Sequence, residues 1–255
     1  MTGAAMAVDS HAHLDDPAFA GDLGAVLARA RAVGVERIVT IGTSLESSRR
    51  AREIAAAHEG VAFAAGIHPH EADRPGPVEE LRELLADPRA VAVGETGLDY
   101  VKNYASVPHQ KALFVRHLEL ALETGKPLSI HCRGAHGDLR AILRAHAPLR
   151  GVIHCFSGTS EDVEAYLALG FYLSVAGPVT YPNAQALREA VGEIPLENLL
   201  VETDCPLLAP QAHRGRRNEP SYVRHVIEEI ARVQGRAPEE VEAATARNAR
   251  RLFGL

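Results

Sequence analysis

The sequence predicts an α/β protein, a single (β/α)8 TIM barrel with a C-terminal closing helix. Eight short apolar runs of strand length alternate with longer segments in which Ala, Leu and Val have helical spacing. The length of 255 residues is typical of one such barrel. Histidines and carboxylates also fall at or just past the ends of several strand-like runs, where a barrel presents side chains to one rim.

The strands are expected at eight segments, which in chain order are AMAVDS, RIVTIGT, VAFAAGIH, AVAVGET, PLSIHC, GVIHCF, FYLSVAG and LLVETD. Helices are expected over residues 22–33, 45–58, 78–86, 107–124, 139–147, 161–169, 183–191 and 219–234. The last segment, residues 238–255, has apolar residues at helical spacing and predicts a closing helix on the barrel exterior. Because strands that are buried on both faces alternate with helices, the sheet should be parallel.

An open, doubly wound sheet is the alternative architecture, and it would bind its ligand at a switch point between a few strands. The residues of chemical interest come from strands one, four, five, six and eight. Neighbouring strands lie about 4.8 Å apart, so an open sheet would spread these residues too widely to serve one ion. A closed ring would bring them together.

Composition restricts the class of protein further. No low-complexity linker interrupts the chain, which supports one domain over residues 1–255. A net charge of −6 argues against a broad electropositive surface that grips duplex DNA along its length. No segment approaches a membrane span, so no membrane association is expected. Three cysteines and the lack of a basic, apolar leader favour the reducing cytoplasm.

Six residues of metal-ligand type form the strongest functional pattern. His11 and His13 lie two residues apart on the first strand, so they project from one face and can converge on a cation. Glu95 follows the fourth strand and supplies the negative charge that an all-imidazole site lacks. The set is completed at the ends of later strands by His131, His154 and Asp204. Each residue alone has an ordinary structural explanation, but together they predict a metal centre at the barrel rim.

Two residues have expected roles in a reaction at this rim. Asp204 either binds metal or takes the proton from a metal-held water. His68 and His70 follow the third strand in GIHPH, and we favour His68, which directly ends the apolar run, to orient a phosphate or protonate a leaving group. The remaining helical histidines are expected to be solvated or to cap helix ends: His58, His117, His146 and His225.

The cysteines and one basic cluster have simpler interpretations. Cys132, Cys155 and Cys205 each follow a predicted ligand by one residue, so strand alternation should turn them towards the helix layer as buried, small apolar residues. This placement disfavours a thiolate zinc site, a nucleophilic cysteine and disulfides. The basic segment HRGRR, residues 213–217, is either a solvated loop or a local contact patch.

Seven motifs, in their order and positions, closely resemble the TatD family of metal-dependent deoxyribonucleases within the amidohydrolase superfamily. They are DSHAHLD, GIHPHE, VGETGLDY, IHCR, HCFSG, ETDCP and GRRNEP, and the resemblance extends from Asp9 to the terminal NARRLFGL. It implies metal binding by the six residues above, with Glu95 bridging two ions or holding the tighter one. One or two divalent ions, magnesium, manganese or zinc, would be the cofactor. The resemblance also implies that Arg216 and Arg217 lie near the rim, where they could meet a phosphate.

These residues support one leading hypothesis and two rivals. The leading hypothesis is a phosphodiesterase or deoxyribonuclease that acts on DNA ends through a metal-activated water, with Glu95 and Asp204 catalytic and His68 assisting the leaving oxygen. The acidic chain suits single-stranded or frayed ends better than a long duplex. The first rival is an amide, lactone or aminoacyl-ester hydrolase with the same site. The second is a non-catalytic metal-binding protein, and the presence of a placed base counts against it.

Overall fold

The computed structural model describes residues 6–102 and 104–255. Its eight strands, β1 to β8, span Ala7–Ala12, Val35–Ile41, Val61–Ala65, Ala90–Asp99, Leu128–Arg133, Gly151–Ile153, Tyr172–Val175 and Leu199–Val201. Each strand overlaps one of the predicted segments. Ala5, the first residue of the predicted AMAVDS strand, lies outside the described residues.

The strands form one parallel sheet in which each strand pairs with the next along the chain. Hydrogen bonds between the end of β1 and the segment that follows β8 bring the two edges of this sheet together. The Asp204 N–H donates to the His11 carbonyl at 2.9 Å, and the His13 N–H donates to the Cys205 carbonyl at 2.8 Å. The barrel prediction is therefore confirmed, and the open-sheet alternative is wrong.

The structure describes nine α-helices, α1 to α9, which span Leu23–Ala32, Leu45–Ala57, Leu81–Leu85, Val107–Thr124, His136–Ala145, Ser160–Ala168, Gln185–Gly192, Val223–Gln234 and Pro238–Phe253. Two predicted helices, α3 and α8, begin three or more residues later than expected. Short 3-10 turns at Val78–Glu80 and Pro220–Tyr222 precede α3 and α8. Of the helices in the described residues, none is long and apolar enough to cross a membrane.

Four strands, β3, β6, β7 and β8, are shorter than predicted, and at β6 and β8 this matters for the rim. β6 ends at Ile153 and β8 at Val201, so His154 and Asp204 lie on the loops just beyond the sheet. The backbone of Asp204 has φ +55°, a left-handed conformation that Asp tolerates better than most residues. The chain therefore turns at Asp204, and its side chain lines the cavity above the barrel.

Apolar residues pack on both sides of the sheet, because alternate strand residues face opposite sides. Outward-facing residues such as Ile38 and Ile130 pack under the surrounding helices. Inward-facing residues near the strand beginnings, such as Val39 and Leu200, form a second cluster with Leu252 of α9. The closing helix thus covers the lower end of the barrel interior instead of lying on its outer side, because these inward residues would otherwise meet water.

His117 differs from the expectation that it is solvated or caps a helix. It is fully buried in α4. Its Nε2 accepts a hydrogen bond from the Ile67 N–H at 3.0 Å, and its Nδ1 lies 2.8 Å from the Leu113 carbonyl. Burial lowers the pKa of His117 to about 4, so the ring is neutral and joins α4 to the segment after β3.

This depressed pKa predicts a specific loss of stability in acid. The unfolded chain protonates His117 near its ordinary pKa of about 6.5, whereas the folded chain resists protonation until pH about 4. The contribution is therefore present above pH 6.5 and is lost as pH falls towards 4, at up to about 1.4 kcal/mol per pH unit. In urea titrations between pH 7 and 4, His117→Gln should show a shallower decline in unfolding free energy than the wild type.

A second variant separates this titration from a general loss of stability. Leu118→Ala removes a fully buried side chain of the same helix but keeps His117. It should lower the unfolding free energy at every pH and retain the wild-type slope. Parallel curves for the wild type and His117→Gln would show that this assignment is wrong.

Candidate metal centre

β1 carries two imidazoles into the upper end of the barrel. His11 and His13 face the same side, as their spacing predicts, and their Nε2 atoms lie 3.3 Å apart. The opposite nitrogens are anchored by the scaffold, because His11 Nδ1 lies 3.3 Å from the Ser129 hydroxyl and His13 Nδ1 lies 3.2 Å from the Ile41 carbonyl. Both rings are thereby held with Nε2 directed at the centre.

β4 delivers Glu95 to the middle of the same space. Gly94 and Gly97 flank this residue and have φ of +146° and +139°. A Cβ atom on them would lie 2.4 Å from the Ser129 carbonyl oxygen and 2.0 Å from the His131 carbonyl oxygen, respectively. Only glycine fits these close approaches to β5, so the sequence GETG positions the Glu95 carboxylate.

The two oxygens of Glu95 face two groups of side chains. Oε2 lies 3.5 Å from His11 Nε2 and 3.6 Å from His13 Nε2. Asp204 Oδ1 completes this group at 3.2 Å from His13 Nε2. Oε1 faces three other imidazole nitrogens, at 3.2, 3.0 and 2.9 Å, which belong to His68, His131 and His154. The structure therefore brings together all six predicted ligands and also places His68 against Glu95.

Two further carboxylates orient these imidazoles, and the sequence interpretation missed both. Asp99 Oδ2 lies 3.1 Å from His131 Nε2, which leaves His131 Nδ1 facing the centre. Glu202 Oε1 lies 3.2 Å from His154 Nδ1, which leaves His154 Nε2 facing the centre. Both carboxylate residues are buried. Strand alternation could have revealed Asp99, because it lies four residues after Glu95 on the same face of β4.

Charge at the centre is dominated by carboxylates that remain ionised. Burial alone would raise the pKa of Glu95, but the charges of His154 and His68 hold that pKa well below its usual range. Burial likewise opposes protonation of His13, yet the hydrogen bond and charge of Asp204 raise the pKa of His13 to about 9. The buried carboxylates thus require positive charge, which imidazolium protons or metal ions can supply.

The donor set fits divalent cations on two further observations. Glu95 Oε2 is buried and has no hydrogen-bond partner among the described residues. The imidazole nitrogens of His11 and His13 lie 3.3 Å apart, and so do those of His131 and His154. Metal–nitrogen bonds of about 2.0–2.1 Å in a tetrahedral site give nitrogen separations of about 3.3 Å. Groups whose donor atoms all lie within 4.8 Å of one another include His11–His13–Glu95, His68–Glu95–His131 and His11–His154–Glu202.

This centre forms the floor of a cavity of about 620 Å³ that opens at the barrel rim. Its lining contains three basic residues that the sequence interpretation did not single out, Arg50, Lys102 and Arg133. Arg216 and Arg217 are not among the lining residues. The Arg217 guanidinium instead forms two hydrogen bonds with the Asp22 carboxylate, both at 2.7 Å, whereas the Arg216 side chain is exposed.

The cysteines follow the expected pattern in two cases of three. Cys132 and Cys205 are buried, and Cys132 Sγ lies 3.3 Å from His136 Nδ1 of α5, in the helix layer. Cys155 is only half-buried. It lines the cavity, as Cys132 also does. Strand alternation does not govern Cys155, because β6 ends two residues earlier and the backbone there has φ +44°. All three thiols are free.

A parallel barrel whose rim joins imidazoles and buried carboxylates defines a metal-dependent hydrolase, and comparison with known proteins supplies the family. The family model "TatD related DNase" matches residues 8–254. The chain is 41% identical over 253 residues to the metal-dependent hydrolase YcfH of Escherichia coli K12, covering 97% of this chain and 96% of YcfH. The chain belongs to the TatD family.

Two other relatives extend this comparison. The protein named 3'-5' ssDNA/RNA exonuclease TatD of Edwardsiella piscicida is 38% identical over 258 residues, which cover 97% of this chain and 99% of the relative. The crystal structure of YJJV, a TatD homolog from Escherichia coli K12, superposes with a TM-score of 0.93 at 31% identity, covering 97% of this chain and 98% of that one. The sequence resemblance and the fold therefore agree.

The geometry predicts how metal binding responds to substitutions. Glu95→Ala removes the carboxylate that both groups of imidazoles share, so it should lower the number of Zn²⁺ or Mn²⁺ ions bound per chain. Asp99→Asn and Glu202→Gln only loosen the orientation of His131 and His154, so they should weaken affinity by about 10–100-fold at unchanged stoichiometry. Equilibrium dialysis with elemental analysis measures both quantities. Wild-type stoichiometry and affinity in Glu95→Ala would contradict this description of the centre.

Proposed function

We propose that this chain hydrolyses phosphodiester bonds at the ends of single-stranded or frayed DNA, with one or two divalent cations as cofactor. The position of Glu95 is the observation that carries the proposal, because its two oxygens face separate imidazole groups on the floor of an open cavity. A carboxylate in this position can hold two cations close together. Such a pair suits a phosphoryl group, which presents several charged oxygens.

The ligand assignment follows from which atoms face each Glu95 oxygen. His11, His13 and Asp204 would hold one cation with Oε2, and a second would be held with Oε1 by His131 and His154. Four imidazoles suit zinc, and the two carboxylates also accommodate magnesium or manganese. When bound, such cations act as Lewis acids that lower the pKa of water and offset charge on the phosphoryl oxygens.

Asp204 is placed to accept a proton, and His68 to donate a hydrogen bond. Asp204 lies at the cavity surface, so its carboxylate can accept the proton of an attacking water. His68 Nδ1 accepts a hydrogen bond from the His70 N–H at 3.1 Å, so a neutral His68 carries its proton on Nε2. That nitrogen faces the centre, 3.2 Å from Glu95 Oε1, and its N–H can donate a hydrogen bond that stabilises charge on the leaving oxygen.

Basic residues around the cavity would bind the substrate phosphates. Lys102 and Arg133 line the cavity in a chain whose net charge is −6, so attraction for a polyanion is local to the rim. Arg50 also lines the cavity, but its guanidinium pairs with Asp15 and Glu46. Arg216, which is exposed on the loop before α8, remains a candidate contact for a more distant phosphate. Arg217 is already neutralised by Asp22, and we assign it a structural role.

The relatives and the charge distribution support a nucleic acid end as the substrate. A relative that is 38% identical over nearly the whole chain carries the name 3'-5' ssDNA/RNA exonuclease. A few basic side chains at one cavity of an acidic protein favour a strand end that enters this cavity over a duplex that is held along its length. The free cysteines fit our further proposal of a cytoplasmic location, where thiols stay reduced.

Activity assays test this proposal directly. Metal-reconstituted protein should degrade end-labelled single-stranded DNA, and Asp204→Asn should lower kcat/KM by about 10²–10⁴-fold because the proton acceptor is lost. Glu95→Ala should lower it at least as much. Glu242→Gln is the matched control, because Glu242 is a buried carboxylate that pairs with Arg224 away from the cavity, and it should retain wild-type activity.

Two results would contradict the proposal. Nuclease activity that survives both site substitutions would come from a contaminant. Turnover of an aminoacyl ester by wild-type protein, with no cleavage of DNA, would instead favour a carbonyl hydrolase at the same site.

A further inference from the structure

An exposed aromatic side chain packs against a residue of the cavity lining and takes no part in the proton transfers or phosphate contacts assigned above. Tyr104 is 64% exposed and is the most exposed aromatic residue of the described chain. Its ring centroid lies 4.7 Å from that of His70, with the two ring planes at 88°. His70 itself lines the cavity. A large apolar ring kept in water beside a residue of the cavity lining is the feature that needs an explanation.

The backbone around Tyr104 is tied to the metal centre through Asp99. Asp99 Oδ1 accepts hydrogen bonds from the Val101 and Lys102 N–H groups, both at 2.9 Å. The other oxygen, Oδ2, lies 3.0 Å from His70 Nε2 and 3.1 Å from His131 Nε2. One buried carboxylate therefore fixes the turn before Tyr104, the His70 ring and the His131 ring relative to one another.

Distances relate this ring to the metal centre through His70. The His70 ring lies 6.1 Å from the His131 ring, and the Tyr104 ring lies 4.7 Å from the His70 ring. The His70 ring therefore links the Tyr104 ring to the ring of a proposed metal ligand. Lys102 and Arg133 line the cavity on the same side and supply positive charge for the strand backbone.

We propose that the exposed ring of Tyr104, held edge-to-face against the perpendicular ring of His70, is a stacking face for a nucleobase next to the scissile phosphate, and that this face makes the enzyme favour unpaired ends. Aromatic stacking tolerates every base, because each base presents a π-face. A base can reach Tyr104 only when it has left its partner strand. This inference rests on the proposed nuclease function. It adds that the site recognises a nucleobase of the substrate as well as a phosphate.

A kinetic comparison tests the stacking face. On single-stranded DNA, Tyr104→Ala should raise KM about tenfold with kcat within about twofold, because stacking contributes to binding and not to the chemical step. Tyr104→Phe keeps the ring and should restore the wild-type KM. Leu122→Ala is the control, because it removes a 50% exposed apolar side chain from α4, and its KM should not change.

A second substrate separates loss of stacking from general damage. An oligonucleotide with abasic residues at the last two positions of both ends keeps the phosphates but lacks the bases. The wild type and Tyr104→Ala should have the same KM on this substrate. The proposal would be overturned if both proteins had the same KM on normal DNA. It would also be overturned if Tyr104→Ala raised KM by the same factor on abasic DNA as on normal DNA.

Binding data keep this outcome distinct from failure of the proposed function. Fluorescence anisotropy with a labelled oligothymidine in Ca²⁺ measures affinity without relying on turnover. Weaker binding by Tyr104→Ala than by Tyr104→Phe supports the stacking face. If wild-type protein neither cleaves nor binds DNA, the nuclease function and the stacking face both fall. If wild-type protein binds DNA and Tyr104→Ala binds it equally well, only the stacking face falls.

Discussion

The buried carboxylate of Glu95 is the constraint on which the rim of this barrel depends. Its oxygens lie within 3.6 Å of five imidazoles, and the residue is almost fully buried at the floor of the cavity. An isolated buried carboxylate would be strongly unfavourable, so it must be compensated by positive charge. The surrounding histidines lower the pKa of Glu95 and keep it ionised. A site that requires positive charge at one point is well suited to divalent cations. Cations held there would act as Lewis acids, which is how the fold would support hydrolysis.

Residues on the neighbouring strands β4 and β5 hold Glu95 in this position. Gly94 and Gly97 let β4 approach β5 closely enough to place Glu95 beside His131. Asp99, at the end of the same strand, orients His131 and also holds the turn that carries the exposed rim. The carboxylate that both imidazole groups share and the carboxylate that holds the turn before Tyr104 would therefore belong to one strand, β4, which is the longest strand described.

The sequence predicted the architecture and the gathering of the six ligand-type residues, because strand periodicity and strand-end placement are local signals. It could not predict where strands stop, and β6 and β8 end early, so Cys155 escapes the alternation that was expected of it. Ion-pair partners are set by tertiary contacts. Arg217 therefore pairs with Asp22, and Glu202 was not recognised as the residue that orients His154. The residues alone predicted a metal centre, and the resemblance to the TatD family narrowed the expected reaction to hydrolysis of phosphodiester bonds.

A crystal structure of protein soaked in Mn²⁺ or Zn²⁺, with anomalous scattering data collected at the metal edge, tests the central claim most directly. The account predicts anomalous peaks in contact with Glu95, one bonded to Nε2 of His11 and His13, and one bonded to Nδ1 of His131 and Nε2 of His154. Peaks that avoid Glu95 would contradict the account. So would full metal loading at another place in the chain with this rim left empty.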